Sequence, residues 1–309
     1  MTAFEWLGPA RRTRGALLLY VCTWGLATLY LGLTGEDWLF PALALPLFAI
    51  ALPALAIRLT RQTRAPAVPV ADPPTETVAL LIYVLVFYAI FVLGWLFSQI
   101  NDVFAADPAR TIVLLVVKLI VHVALPSMLL LALGSPVRAL WDTGLGRKGL
   151  LPSFAVFAPL LFILVAAVTP SLSRIAATGL SPVQALPFVA GAWLWMSVQA
   201  GLCEEYLFRA CLQSRLTAWF ASPALGLALT AIIFALAHAP GIYLRGGPGT
   251  SGWSGDPLQV AAFTIATLSP LAILLGILWL RTRSLLLIAL LHGAIDALPH
   301  SAALIGMWR

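Results

Sequence analysis

Nine apolar runs, at about 15–33, 38–57, 79–99, 111–133, 151–169, 186–208, 223–240, 258–280 and 284–299, leave this chain few ways to fold. Most are as long as the ~20 residues that cross a ~30 Å hydrocarbon core at ~1.5 Å per residue. A backbone in lipid must satisfy its own hydrogen bonds, so runs of this length fold as helices. The reading is an all-α, polytopic transmembrane helix bundle of about nine spans, eight to ten, the last a short, tilted or partly buried helix. Composition agrees: 61% of the 309 residues are hydrophobic and only 10% charged, which excludes an ordinary soluble domain.

Charge sits between the runs and sets topology. Basic residues collect at Arg11, Arg12 and Arg14, at Arg58, Arg61 and Arg64, at Arg138, Arg147 and Lys148, at Arg209 and Arg215, and at Arg281 and Arg283. The alternate connections carry Glu36 and Asp37, then Asn101, Asp102 and Asp107, then a Gly/Ser-rich loop with Asp256. The positive-inside rule then places the N-terminus in the cytoplasm, and the net charge of +6 needs no nucleic-acid partner to account for it. The partner is the lipid bilayer. The Pro-rich stretch 65–78 reads as an exposed linker between an N-terminal two-helix membrane extension, 1–64, and a membrane bundle, 79–309. The three cysteines form no C-x-x-C pair, so neither a disulfide framework nor a zinc knuckle is expected. No internal repeat is visible, which argues against a transporter with ion-coupling carboxylates.

Of the 12 acids, nine fall in tails or connections, and only Glu204, Glu205 and Asp296 fall within apolar spans. An ionised group near the bilayer centre costs at least ~2.5–3.5 kcal/mol, so it faces a protein interior or cavity and has a task there. His238 and His292 join them in the C-terminal third. At ~100° per residue, Glu205 and Arg209 share a helix face and suit an ion pair, while Glu204 points elsewhere and is left free. His292 and Asp296, and Phe234 and His238, share faces by the same spacing. If the sixth and seventh runs form a hairpin turning near residues 220–223, positions whose numbers sum to about 442 lie level; Glu204 and His238 do. Runs six, seven and nine should then enclose a polar cavity lined by Glu204, His238, His292 and Asp296.

The blander reading of Glu204, Glu205 and Arg209 is an ion-pair cluster that only locks packing. The histidines could be hydrogen-bonded interior groups, or could hold a divalent metal with the carboxylates. Lys118 and His122, one turn apart in the fourth run, read as a packing or interface pair. Gly191, Gly201, Trp193 and Trp195 read as close helix packing and interface anchoring.

The ordered set "EEYLFR", "FALAH" and "HGAID" on successive apolar segments resembles the CAAX protease and bacteriocin-processing (Abi) family of glutamate-type intramembrane endopeptidases, over about 186–300. The resemblance implies that Glu204 activates water with His238 helping to position it, and that His292 and position 296 stabilise the oxyanion. Glu205 and Arg209 would support the site, with Phe234 beside His238. No cofactor is implied, and the substrate would be a membrane-anchored protein or peptide, lipidated or C-terminally tagged. The alternative is a non-proteolytic bacteriocin-immunity or scaffold protein. Position 296 is Asp where the family commonly has Asn. An ionised Asp cannot donate a hydrogen bond, so it is either protonated or acts by orienting His292. The Arg-rich, Lys-poor composition suits a bacterial inner membrane.

Depth gives a last expectation. Glu204 lies about 24 Å along an ideal helix from the turn near 220–223, but His292 only about 13 Å past Arg283. Both hold if that hairpin projects roughly 10 Å beyond the start of the ninth span, leaving a site buried within the membrane.

Overall fold

The computed structural model describes residue 7 and residues 9–92, 96–103 and 109–308. Asp107 and positions 93–95 of the third run lie outside them. Among the described residues there is no strand, and nine helices are long and apolar enough to cross a membrane. These are α1 (Ala10–Leu33), α2 (Leu39–Leu59), α3 (Pro73–Phe91), α4 (Ala109–Ala132), α5 (Gly149–Val168), α6 (Pro182–Trp219), α7 (Pro223–Arg245), α8 (Pro257–Thr282) and α9 (Leu285–Trp308). The chain is an integral membrane protein.

The sequence sets the helix starts plainly. Asp72, Ser181, Ser222 and Asp256 each accept a hydrogen bond from a backbone N–H of the first turn of α3, α6, α7 and α8, and a proline follows each cap. The cap satisfies an orphan donor, and proline removes another at no cost. Ser181 and Gln184 complete a reciprocal capping box.

The centre of the bundle is α8 and α9, whose most apolar windows are 72% and 61% buried, against 11% for α4. α7 packs along α8, and α9 packs along the first half of α6 and along α5. The 1–64 segment joins the same core. α1 lies against α7 and α8, Tyr20 hydrogen-bonds Ser269, Trp24 donates to the Ala266 carbonyl, and Arg281 donates to the Thr60 carbonyl.

Two spans are longer than their hydropathy implies. α6 runs 38 residues, well past the expected end at 208, and α9 runs 24 residues to Trp308, not 16. Arg209 and Arg215 interrupt the apolar pattern of α6, yet both are fully buried because Glu205 and Glu76 neutralise them. Pro299 interrupts α9 in sequence and is carried inside the helix.

Two charge assignments are corrected with them. Glu76 is not in an exposed linker: α3 starts at Pro73, which puts Glu76 in its first turn, fully buried. Arg215 is not a solvated marker of the cytoplasmic face but its ion-pair partner, at 2.9 Å. The expected projection of the hairpin is present. Trp279 and Arg283 at the end of α8 both reach the Ser214 hydroxyl, at 3.1 and 3.4 Å, so the α6–α7 turn extends six to eight residues beyond that level. That is about 10 Å at ~1.5 Å per residue.

Candidate active site

Most of the second half of α6 is wound wider than an α-helix. Ser197–Leu202 and Tyr206–Gln213 are π-helical, flanking the single α-turn Cys203–Glu205. Such turns re-aim side chains and are frequent at functional sites. Close approach to α9 does the rest. A Cβ on Gly201 would overlap the Ala289 backbone, and one on Gly293 would overlap Ser197, so only glycine lets the two helices meet here. The consequence is that both glutamates of α6 reach His292 of α9.

Glu205 is fully buried; its Oε1 accepts from His292 Nδ1 at 2.7 Å and lies 3.0 Å from Arg209 Nη1. The Arg209 guanidinium lies 4.0 Å over the Phe234 ring, whose centroid is 4.6 Å from that of His238. A cation held on an aromatic face and a carboxylate needs less water than a bare one. The expected Glu205–Arg209 pair is therefore present, and it is tied to His292 as well.

Glu204 turns the other way, 12% exposed, with His238 Nε2 at 3.4 Å and His292 Nε2 at 3.8 Å from its Oε2. The level pairing of Glu204 and His238 across the hairpin is present. His238 Nδ1 lies 2.8 Å from the Phe234 carbonyl. A carbonyl can only accept, so Nδ1 carries the hydrogen and Nε2 is aimed at Glu204. The His292 ring also has Asp296 Oδ2 3.4 Å from its Nε2. Glu204, Glu205, His238, His292, Asp296, Arg209 and Phe234 thus meet in one place, contributed by α6, α7 and α9.

Two expectations are corrected here. Glu204 is not free of a cation: Lys118 of α4 reaches its Oε1 at 2.7 Å. The cavity beside the site, about 350 Å³, is closed by α3 and α4 as well as α6 and α7. Its lining includes Glu204, His238, Lys118, His122, Gln199 and Arg245, with aromatic walls from Phe87, Tyr88 and Phe91; His292 and Asp296 do not line it. Lys118 and His122 are therefore more than a packing pair. The signal was available, because a lone lysine in the middle of a span is itself a charge that needs a partner.

Among the described residues, no group of three or more His, Cys, Asp and Glu side chains has the arrangement to hold a metal ion. The carboxylates face cations instead: Glu204 faces Lys118, and Glu205 faces Arg209.

Residues 186–298 match the family described as type II CAAX prenyl endopeptidase Rce1-like. Over that segment, which is less than half of its length, the chain is similar to the CAAX protease family. This is a family of membrane-embedded endopeptidases, and the matched segment holds every charged and histidine side chain of the site and its cavity except Lys118 and His122. No curated protein and no solved structure matches the chain significantly.

Proposed function

We propose that the chain is a glutamate-type intramembrane endopeptidase that hydrolyses a peptide bond of a membrane-associated protein or peptide. The observation that carries this reading is the environment of Glu204 Oε2, a buried oxygen with no hydrogen-bond partner in the protein, faced by Nε2 of His238 and of His292. Water held between Glu204 Oε2 and His238 Nε2 gives a proton to Glu204 and attacks the substrate carbonyl. General-base assistance of this kind contributes ~10²–10⁴-fold.

The site holds three carboxylates, Glu204, Glu205 and Asp296, against two fixed cations, Lys118 and Arg209. His292 lies among all three carboxylates, 2.7 Å from Glu205, 3.4 Å from Asp296 and 3.8 Å from Glu204, and carries a proton on each ring nitrogen in this scheme. His292 then donates through Nε2 to the oxyanion, while Glu205 holds its Nδ1 and Asp296 orients the ring. A donor placed in this way is worth ~2.7–4 kcal/mol in the transition state. When the tetrahedral intermediate collapses, the C–N bond breaks and Glu204 returns its proton to the leaving amine. Lys118 is a positioning residue in this scheme; by holding Oε1 it leaves Oε2 to the water.

The N-terminus and the arginine-rich connections lie on the cytoplasmic side, with the C-terminus outside. Glu204 is ten residues from Ser214, at most about 15 Å because the stretch between them is π-helical, which keeps it inside a ~30 Å core. The substrate reaches it between helices.

The test compares the C-termini of membrane proteins in cells carrying the wild type and Glu204→Ala. At least one protein should lose a C-terminal segment only in the wild type. Identical termini in both strains would point to the non-proteolytic, scaffold reading.

A further inference from the structure

Ten or more residues before His238 along α7, where Ala224, Leu227 and Ala228 line it, α1, α2, α7 and α8 enclose a second cavity of about 450 Å³. Its wall is hydrocarbon, with small residues such as Ala16, Ala49 and Ala228 making room among Ile57, Ile277 and Leu227. The polar side chains among the lining residues are Thr13 and Tyr20, and both are engaged elsewhere. Thr13 donates to backbone carbonyls near the start of α1, and the Tyr20 hydroxyl bonds Ser269 at 3.1 Å. A ligand here finds no hydrogen bond and must be apolar.

The shape narrows the ligand further. Along α2 the lining runs from Ile57 to Leu45, twelve residues or about 18 Å. That is the depth of one leaflet, about half of a ~30 Å hydrocarbon core. The volume falls in the ~300–1,000 Å³ range of ligand pockets.

The helix ends that carry Ile57 and Thr13 also carry charge of one sign, although no arginine lines the cavity itself. Arg11 and Arg14 lie near the start of α1, Arg58 lies in the last turn of α2, and Arg61 and Arg64 lie beyond it; all five are exposed, and none is ion-paired to a described carboxylate. Arg12 beside them is occupied, donating to the Phe220 carbonyl at 2.6 Å. The positive-inside rule accounts for arginines on one face of the membrane. It does not account for a chain-length apolar cleft at the helix ends that carry them.

We propose that this cavity is a binding site for an anionic phospholipid, one acyl chain lying between α1, α2, α7 and α8 and the headgroup phosphate among the five arginines. Guanidinium groups pair with phosphate bidentately, which suits a headgroup lying between two helix ends. The bound chain would brace α1 and α2 against α7, the helix that carries His238. The inference does not depend on the peptidase reading.

The experiment uses the full chain purified in mild detergent, with retained lipids extracted and identified by mass spectrometry. Wild type should keep an anionic phospholipid in several-fold preference over zwitterionic ones. Neutralising Arg11→Gln, Arg14→Gln, Arg58→Gln and Arg61→Gln together should remove the preference, leaving zwitterionic lipid. Ala49→Phe with Ala54→Phe, which fills the cavity from α2, should remove both. In vesicles of phosphatidylcholine, adding phosphatidylglycerol should raise the melting temperature of the wild type and of neither variant, which also checks that the variants fold. Equal retention of both lipid classes by the wild type, lipid retention unchanged by the phenylalanines, or retention of a hydrocarbon without a phosphate would each overturn the proposal.

Discussion

α6 carries two buried arginines six residues apart, Arg209 paired with Glu205 of the same helix and Arg215 with Glu76 of α3, and the two pairs are built to different standards. Arg215 donates through Nε to Glu76, through Nη1 to the Ala210 carbonyl and through Nη2 to Ser135. Glu76 in turn accepts from Ser135 and from the backbone N–H groups of Ala71 and Asp72. Arg209 has its carboxylate at 3.0 Å and the Phe234 face at 4.0 Å, but none of its three side-chain nitrogens makes a well-aligned hydrogen bond to the protein, and Glu205 Oε2 has no partner. Buried polar groups are normally satisfied, and a shortfall concentrated in one place marks a site held for something other than stability. The Arg215 cluster ties α3, α6 and the end of α4 together. The Arg209 cluster positions His292.

The largest stability effect should fall on the satisfied pair. Arg215→Met strands a buried carboxylate and should cost ~3–5 kcal/mol, read as lost expression or a sharply lowered melting temperature. Adding Glu76→Leu should recover most of it, because an apolar pair removes the stranded charge. A double variant no better than the single one would mean that the cluster's hydrogen bonds, not its charge balance, hold α3 and α6 together.

Arg209→Met should cost less stability than Arg215→Met, since fewer hydrogen bonds are lost, yet lower peptidase activity more, on the order of 10²-fold, by loosening His292. The reverse ranking would erase the distinction between the two pairs. Lys118→Met should lower kcat about tenfold with little change in KM, and Lys118→Arg should restore part of it, the pattern of lost orientation and not of lost substrate binding. The smallest effect is none at all. Treatment with a strong chelator should leave activity unchanged, whereas a zinc mechanism would require restoration by added metal.

How much of this was legible in the sequence depends on whether a residue's partner is local. Glu205 with Arg209, His292 with Asp296 and Phe234 with His238 are neighbours on one helix turn, and helix spacing suffices to pair them. Glu204 with His238 needed only the hairpin register. Lys118 with Glu204 and Glu76 with Arg215 are separated by 86 and 139 residues. Nothing in a helix period says which distant span supplies a partner, so Glu204 read as free and Arg215 as solvated. The span ends of α6 failed for the same reason: hydropathy counts an arginine as a break unless its counter-charge is known. The π-helical winding of α6 left no mark in the apolar pattern at all.

The claim at the centre is that Glu204 is the base and that its oxygen, not its fold-holding role, is what cleavage needs. The direct measurement reconstitutes the purified chain in vesicles with a membrane-anchored reporter peptide and follows the new C-terminus by mass spectrometry, for wild type, Glu204→Gln and Lys118→Met. Because Lys118 is paired with Glu204, both variants should lose a similar, modest amount of melting temperature. Only Glu204→Gln should abolish the product. Cleavage by Glu204→Gln at a rate close to that of Lys118→Met would contradict the account.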